Sequence, residues 1–442
     1  MKQFTFKSHY FSMPQLLSLM LLIIGSTLGS VIYSQVEVAG SLSLSQAIDE
    51  GLTHSPDHQV AQNAHLMALN DEILGTSRLF PTVDARARTV YQNLKALQEG
   101  APARGDFDTY SNSVGLGLSW VLFDGLQTFK AKSIVEQEAK LSGFSLESSE
   151  RLTIMQIKLL YAKTSVSFEL ANWWSEQYQT TRKQFQKSEE KFNSGAMTKR
   201  EWLKAKILMK KDSISLVNQT QQFKTSWVSL SELIGRESSQ IPKFDLFELP
   251  ELRDIPSLDL HQNLEFQELK VQEKIAFETK EFAKGSYYPR LIGFGNYDYI
   301  HKNSEFSTLS QTNENLSGEV GLALSWNIFD GLQSTMKLRN AQLSLENVKI
   351  KKSYYQAKVS NEFQILKDDI QIGRDNLILA QEQSALSQEH LTLTLESYQI
   401  GGLTRLEYED ALLESRLAKI TLKNAEIVYY EKSLKLLYLC GK

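Results

Sequence analysis

The fourteen residues Val114-Gly-Leu-Gly-Leu-Ser-Trp-Val-Leu-Phe-Asp-Gly-Leu-Gln127 return as Val320-Gly-Leu-Ala-Leu-Ser-Trp-Asn-Ile-Phe-Asp-Gly-Leu-Gln333, 206 positions later (320 − 114), with eleven of them identical. A repeat of this period is a duplicated domain half rather than a solenoid unit. At the same offset Gly195 meets Gly401, Thr198 meets Thr404, Glu201 meets Glu407, and Leu233-Ile-Gly235 falls on Leu439-Cys-Gly441. Upstream, Phe80-Pro81 matches Tyr288-Pro289 at an offset of 208 (288 − 80), which places a small length difference in the loops at about 94–110 and 301–314. The halves therefore run over about 42–240 and 257–442. The segment 241–256 between them holds three of the chain's eight prolines and reads as an extended linker.

Each copy changes period at its Phe-Asp-Gly. After it, from Leu126 to Asn193 there is no proline and one glycine, Gly143; from Leu332 to Ile400 the same holds with Gly373. Helices of about 68 residues extend roughly 100 Å. A compact globule of this length is only roughly 55–60 Å across. The molecule is therefore expected to be elongated, with helices over 125–193, 198–234, 331–399 and 404–439 packed lengthwise. Leu152, Met155, Leu159, Ala162, Val166 and Trp173 form one apolar stripe, and Ile154, Ile157, Tyr161 and Phe168 a second beside it, as for a helix with neighbours on two sides. An antiparallel coiled coil meets the same pattern.

Before the Phe-Asp-Gly the period is two. Val114, Leu116, Leu118 and Trp120 alternate with Gly115, Gly117 and Ser119, and Val320, Leu322, Leu324 and Trp326 with Gly321, Ala323 and Ser325. Strands are read at about 81–93, 110–123, 289–302 and 315–329. Runs of about ten residues with one large apolar face suit tilted strands crossing a bilayer, with Trp and Phe near the interface. In the first partner strand Val83, Ala85, Ala87 and Thr89 share one face and Asp84, Arg86 and Arg88 the other, where charges suit a watery lumen. In the second, Ile292 and Phe294 blur the contrast and leave its outward face open. Soluble sandwich strands alternate in the same way, so a single strand does not decide between them. Four strands in lipid, however, cannot leave their edges unpaired, and closing them into a barrel takes more than one chain: two copies give eight strands, three give twelve.

Residues 1–34 have the order of a secretory signal, with Lys2 and Lys7, then a short apolar core from Leu16 to Ile24, then small and polar residues to a cleavage point near Ser34. No later apolar run is long enough for a transmembrane helix. A net charge of −4 offers no polybasic face, so nucleic acid is not an expected partner. The one cysteine, Cys440, excludes an internal disulfide and reads as a small apolar packing residue. His54, His58 and His65 fit surface histidines better than a metal site, and Trp173-Trp174 fits helix packing better than a membrane anchor. No phosphate loop, nucleophile elbow or zinc motif is present; neither an enzyme nor a cofactor is expected.

A signal peptide, two strand hairpins flanked by long helices, Ser-Trp-x-x-Phe-Asp-Gly at both strand-to-helix junctions and Gly-x-x-Thr at both helix tips resemble the TolC-like outer membrane efflux proteins. Leu44-Ser-Gln-Ala-Ile48 and Ser55-Pro56, where the family usually has Asn-Pro, extend the resemblance to the start of the mature chain. It implies a homotrimer of mixed α/β class, in which a twelve-stranded β-barrel in the outer membrane continues as a long periplasmic α-helical barrel. The expected role is a passive exit duct for an efflux or type I secretion system, partnered by a periplasmic adaptor and, through it, an inner-membrane pump. The alternative is a secreted coiled-coil scaffold without a pore.

The resemblance also assigns positions. Trp120, Phe123, Asp124, Gly125, Trp326, Phe329, Asp330 and Gly331 would mark where strand becomes helix at the inner edge of the membrane. Glu407 and Asp410 fall on acidic gate positions at the periplasmic end, and Tyr398 on the aromatic position before the glycine. Leu403 stands where the best-known members have arginine, with Arg405 as a substitute two positions on, and Arg200 and Glu201 are the first-half counterparts. Gly195, Met197, Thr198, Gly401, Leu403 and Thr404 would meet the adaptor. Carboxylates crowded around one axis raise one another's pKa and attract cations.

Overall fold

The computed structural model describes residues 41–94, 107–245, 249, 255–306 and 309–442. The expected signal segment 1–34 lies outside them, as do 95–106, 307–308 and half of the linker. The first half runs β1 (Ser41–Leu42), α1 (Leu44–His54), α2 (Pro56–Ser77), β2 (Thr82–Leu94), β3 (Phe107–Phe123), α3 (Gln127–Asn193) and α4 (Lys199–Ile234). After β4 (Lys243–Phe244), the second half runs α5 (Leu264–Lys284), β5 (Arg290–Phe306), β6 (Leu309–Ser325), α6 (Gln333–Gln399) and α7 (Arg405–Leu439). α3 and α6 are each 67 residues long, about 100 Å. Each forms a hairpin with the shorter helix that follows it. Among the described residues no helix is long and apolar enough to cross a membrane.

That sheet has four strands in the order β2-β3-β5-β6, every neighbouring pair antiparallel. The two hairpins meet through β3 and β5, leaving β2 and β6 as edges. Register puts Val83 beside Leu118, Leu118 beside Gly295, and Gly295 beside Val320 on one face. Asp84, Gly117, Asn296 and Glu319 follow one another on the opposite face. The fourth strand, expected over 315–329, instead covers Leu309–Ser325. β3 continues to Phe123 because Leu291 still pairs with it across a bulge. β6 has only β5 beside it, and β5 starts at Arg290, the partner of Ser325. Past that point Trp326 to Phe329 have no ladder to join.

Midway along the helices, β1 and β4 form a short parallel pair. Only two of the described residues of 241–256 are in strand, yet Phe244 there is 9% exposed and its ring lies within 5.6–6.1 Å of those of Tyr161, Phe168, Phe223 and Trp227. Leu42, Ile157, Leu230 and Ile234 complete this cluster. The second half builds its own core from Phe266, Tyr355, Val359, Ile370, Tyr429 and Leu436. Buried Cys440 belongs to that core, and burial raises its thiol pKa.

Candidate functional site

At both junctions the chain takes two consecutive left-handed residues, Gly125 (φ 68°) with Leu126 (φ 67°) and Gly331 (φ 66°) with Leu332 (φ 69°). Glycine does this without steric penalty; leucine needs its surroundings to hold it there. The aspartate before the glycine supplies part of that hold. Asp124 Oδ2 accepts from the Thr128 backbone N–H at 3.0 Å and from its hydroxyl at 2.5 Å. Asp330 does the same with Ser334 at 2.8 and 2.5 Å, and these bonds keep its pKa below the usual carboxylate value. The aspartates thus satisfy N–H groups in the first helical turn, and the chain passes from strand to helix over three residues in the first copy (124–126) and seven in the second (326–332). Each tryptophan fastens the turn laterally: Trp120 Nε1 donates to the Leu79 carbonyl at 2.9 Å and Trp326 Nε1 to the Tyr287 carbonyl at 3.1 Å. These two acceptors are related by the offset of 208 (287 − 79), a doubled signal that the sequence carried unread.

The sheet settles the face of its third strand. Ile292 and Phe294 lie on the side of Arg86 and Asp84, while Gly293, Gly295 and Tyr297 lie with Leu116, Leu118 and Trp120. The Phe294 ring occupies the space left open at Gly321. Gly117 leaves room for Arg86 to reach across β3, where Nη2 meets Asn296 Oδ1 at 3.1 Å. Arg86 Nε also meets Asp84 at 2.7 Å, and Asn296 Nδ2 meets Glu319 at 2.6 Å. A polar belt therefore crosses the sheet on one face, and the other carries Val, Leu, Trp and Tyr. Small residues in β3 serve the long side chains of its neighbours.

At the far ends of α3 and α6 the two tips repeat one another. Gly195 (φ 75°) and Gly401 (φ 82°) close the helices, with Ala196 N–H bonded to the Lys191 carbonyl and Gly402 N–H to that of Ser397, a Schellman turn in each copy. The next helices open with capping boxes: Thr198 and Glu201 in α4, Thr404 and Glu407 in α7. Glu201 and Glu407 accept from both the backbone N–H and the hydroxyl of their threonines, which holds each carboxyl below the usual glutamate value. Within one chain this bias is opposite to the upward shift expected from crowded carboxylates, because directed hydrogen bonds favour the ionised form. Thr-x-x-Glu is a legible signature that the comparison of copies passed over.

Tyr398 stacks on Tyr408 with ring centroids 5.3 Å apart and 9° between planes; Phe192 and Trp202, their equivalents, stack at 5.3 Å and 22°. Arg405 Nε pairs with Glu409 at 2.7 Å, and after the Thr198 hydrogen bonds the charges of Arg200 and Arg405 add a smaller downward pull on the Glu201 carboxyl. Asp410, Arg200 and Gly401 are exposed, while Met197 and Leu403 are half-buried. Of the histidines, His65 Nδ1 bonds Ser142 at 2.9 Å and His54 Nδ1 lies 2.9 Å from the Glu50 carbonyl. Among the described residues no cluster is suited to hold a metal.

Comparison with known proteins agrees with this architecture. Residues 47–236 match the family model described as outer membrane efflux protein. No curated protein sequence matches. Solved structures share the fold at low identity. The outer membrane protein VceC of Vibrio cholerae is 15% identical over 90% of this chain and 96% of its own, with a TM-score of 0.72. The Campylobacter jejuni CmeC outer membrane channel is 15% identical over 93% and 90%, with a TM-score of 0.79. The open-state MtrE outer membrane channel of Neisseria gonorrhoeae is 16% identical over 90% and 88%, with a TM-score of 0.71. Residues 47–236 thus carry the sequence pattern of that family, and the whole chain shares the fold of these solved outer membrane channels. The family is one of transport proteins located in the outer membrane and extending into the periplasm.

Proposed function

We propose that the chain forms a homotrimeric exit duct, its sheet closed into a barrel in the outer membrane and its helices into a periplasmic tunnel. The observation that carries this reading is that each lateral contact of the repeat is made once within the chain and left open once. β3 pairs with β5, and β2 and β6 have no outer partner. α3 packs along α5, with Gln127 Nε2 bonded to the Phe282 carbonyl at 3.2 Å and Lys130 paired to Glu278 at 2.9 Å. The corresponding flank of α6 shows Met336, Leu343 and Ile350 to solvent, and α2 shows Val60, Met67 and Leu74. A further run, Ile365, Ile372, Leu379, Leu386 and Leu393, sets an exposed large apolar residue every seven positions along α6, the spacing of a helix seam awaiting a partner. A neighbouring copy, offering β2 to β6 and α2 to α6, satisfies both. Three copies give the twelve strands that the family resemblance implies.

Transport energy comes from an inner-membrane pump joined through an adaptor at the tips around Gly195, Met197, Thr198, Gly401, Leu403 and Thr404. Glu407 and Asp410 line the narrow end, Glu407 fixed by its cap and Asp410 free to turn toward the axis. The test is recovery of a heat-labile oligomer from the detergent-solubilised membrane fraction, followed by planar-bilayer conductance. Replacing Glu407 and Asp410 together by alanine is expected to reduce cation preference; unchanged ion selectivity removes them from the constriction. A water-soluble monomer overturns the duct reading in favour of a scaffold.

A further inference from the structure

The polar face of the sheet is built from unequal strands. Glycine inside a strand weakens it and marks a place where something else comes close. β3 carries Gly115 and Gly117 on the face of Asp84 and Arg86, and β6 carries Gly321 there. Each bare position is filled by a long or charged side chain from an adjacent strand. A Cβ on Gly117 would collide with the Arg86 guanidinium of β2, and one on Gly115 with the Asp298 carboxylate of β5. One on Gly321 would come within 2.7 Å of the Phe294 ring, also of β5.

Hydrogen bonds hold the arginine in its recess. Arg86 Nε donates to Asp84 Oδ2 at 2.7 Å and Nη2 to Asn296 Oδ1 at 3.1 Å, while Asn296 Nδ2 donates to Glu319 at 2.6 Å. Asp84, Arg86, Asn296 and Glu319 thus form one chain of contacts from β2 to β6, passing over β3 where Gly117 has no side chain. At a watery surface an arginine head ordinarily stands off into solvent, where its charge is hydrated and its stem keeps rotamer freedom. Here it is tied along the sheet. The offset of 208 puts Phe294 at the position of Arg86 (294 − 86) and Ile292 at that of Asp84 (292 − 84). Both copies therefore lay a long side chain over a bare backbone, although one is a hydrogen-bonded cation and the other an aromatic ring. What the duplicated positions share is the space they leave clear, not a charge.

We propose that Arg86 and Phe294 set the bore of the barrel, and that Gly117 and Gly321 are recesses that keep it wide by holding these side chains along its wall. This rests on the duct reading above, with the polar face turned to the lumen. In a ring of three copies the equivalent positions alternate, so three arginines and three phenylalanines circle the bore. A branched side chain in either recess turns its occupant toward the axis. The size of cargo that passes is then limited within the membrane as well as at the periplasmic end.

Access to the lumen from the outer side tests this. Ser119 is exposed on the same face and the chain's one native thiol, Cys440, is buried, so Ser119→Cys supplies a single reactive site. The readout in the reconstituted oligomer is the rate at which maleimide-polyethylene glycols of increasing size label that thiol, divided by the rate for a small maleimide. Gly117→Val and Gly321→Val, chosen because valine suits a strand, are each expected to lower the largest polymer that reacts. Adding Arg86→Ala to the first and Phe294→Ala to the second restores the limit; the crossed combinations do not. An unchanged limit in either valine variant overturns the role of its occupant. So does a limit that stays low once the occupant is removed, since the barrel is then merely distorted. If the valine variants fail to assemble, Gly117→Ala replaces them, because its Cβ already meets the guanidinium, and an unchanged limit there is sufficient to overturn the proposal. A Ser119→Cys oligomer that resists even the small maleimide refutes the duct reading instead, which separates the two failures.

Discussion

The first junction and the second share Phe-Asp-Gly-Leu-Gln, the same pair of left-handed residues and the same aspartate cap, yet they stand in different surroundings. A Cβ on Gly125 would come within 2.4 Å of the Gly285 carbonyl oxygen, whereas one on Gly331 would meet nothing within 4 Å. Trp120 and Phe123 are 44% and 39% exposed; Trp326 and Phe329 are 62% and 79%. One copy is covered by the second half of its own chain, and the other is left uncovered. The difference teaches that the duplicated unit encodes a lateral contact rather than a closed body, made once within the chain and left open at its outer edges.

The largest effect that would test this comparison lies in the sheet. Leu116 and Leu322 are equivalent positions on the apolar face, one in an inner strand and one at the edge. If lipid covers both, arginine at either costs about 2–4 kcal/mol near the bilayer midplane, and both variants should be lost from the membrane-embedded oligomer to the same degree. Tolerance of Leu322→Arg alone would show that the edge strand's face is not in lipid.

Alanine at the junction glycines has a smaller effect. A left-handed backbone costs an L residue roughly 1–2 kcal/mol. Gly125→Ala adds the clash with Gly285, so it should be the more damaging in dissociated chains. If a neighbouring copy covers the second junction, its Ser77 stands where Gly285 does at the first, at the offset of 208 (285 − 77), and the dissociation temperatures of Gly125→Ala and Gly331→Ala should converge. A persistent gap between them would mean that the second junction stays uncovered.

The smallest effect is at the tips, where the halves are most alike. Glu201 and Glu407 have folded pKa values below those of the unfolded chain, so the caps contribute stability above the ordinary glutamate value of 4.5 and lose it as the pH falls through the lower folded value. Hydrogen-exchange protection factors at the starts of α4 and α7 should therefore fall below about pH 4.5, in both copies together. Fraying of α4 alone would set Glu407 apart as held by something besides its threonine.

Much of this was legible in order along the chain because the interactions are local. A two-residue alternation specifies a strand with two unlike faces. A long stretch free of proline specifies a helix whose length follows from its rise. The Gly-x-x-Thr-x-x-Glu run contains a helix stop and a helix start within seven residues, and the doubling of every such signal exposed the pseudo-symmetry. Left-handed Leu126 and Leu332 were not legible, since nothing in a leucine announces that conformation and the capping Asp and anchoring Trp impose it from outside.

What the sequence determined by itself, then, was the set of elements, their lengths and their repetition. Tertiary structure decided which faces meet. Ile292 and Phe294 turned inward because Gly321 leaves a space beside them, and Arg86 crossed β3 because Gly117 has no side chain. Asp212 found Arg416 at a separation of 204 residues (416 − 212), close to the repeat length but with neither residue preserved in the other copy. Repetition in sequence predicts contacts that both copies make. A contact made once, between unlike faces of two hairpins, depends on how long helices are rotated against each other, and that is set by the packing of the whole molecule.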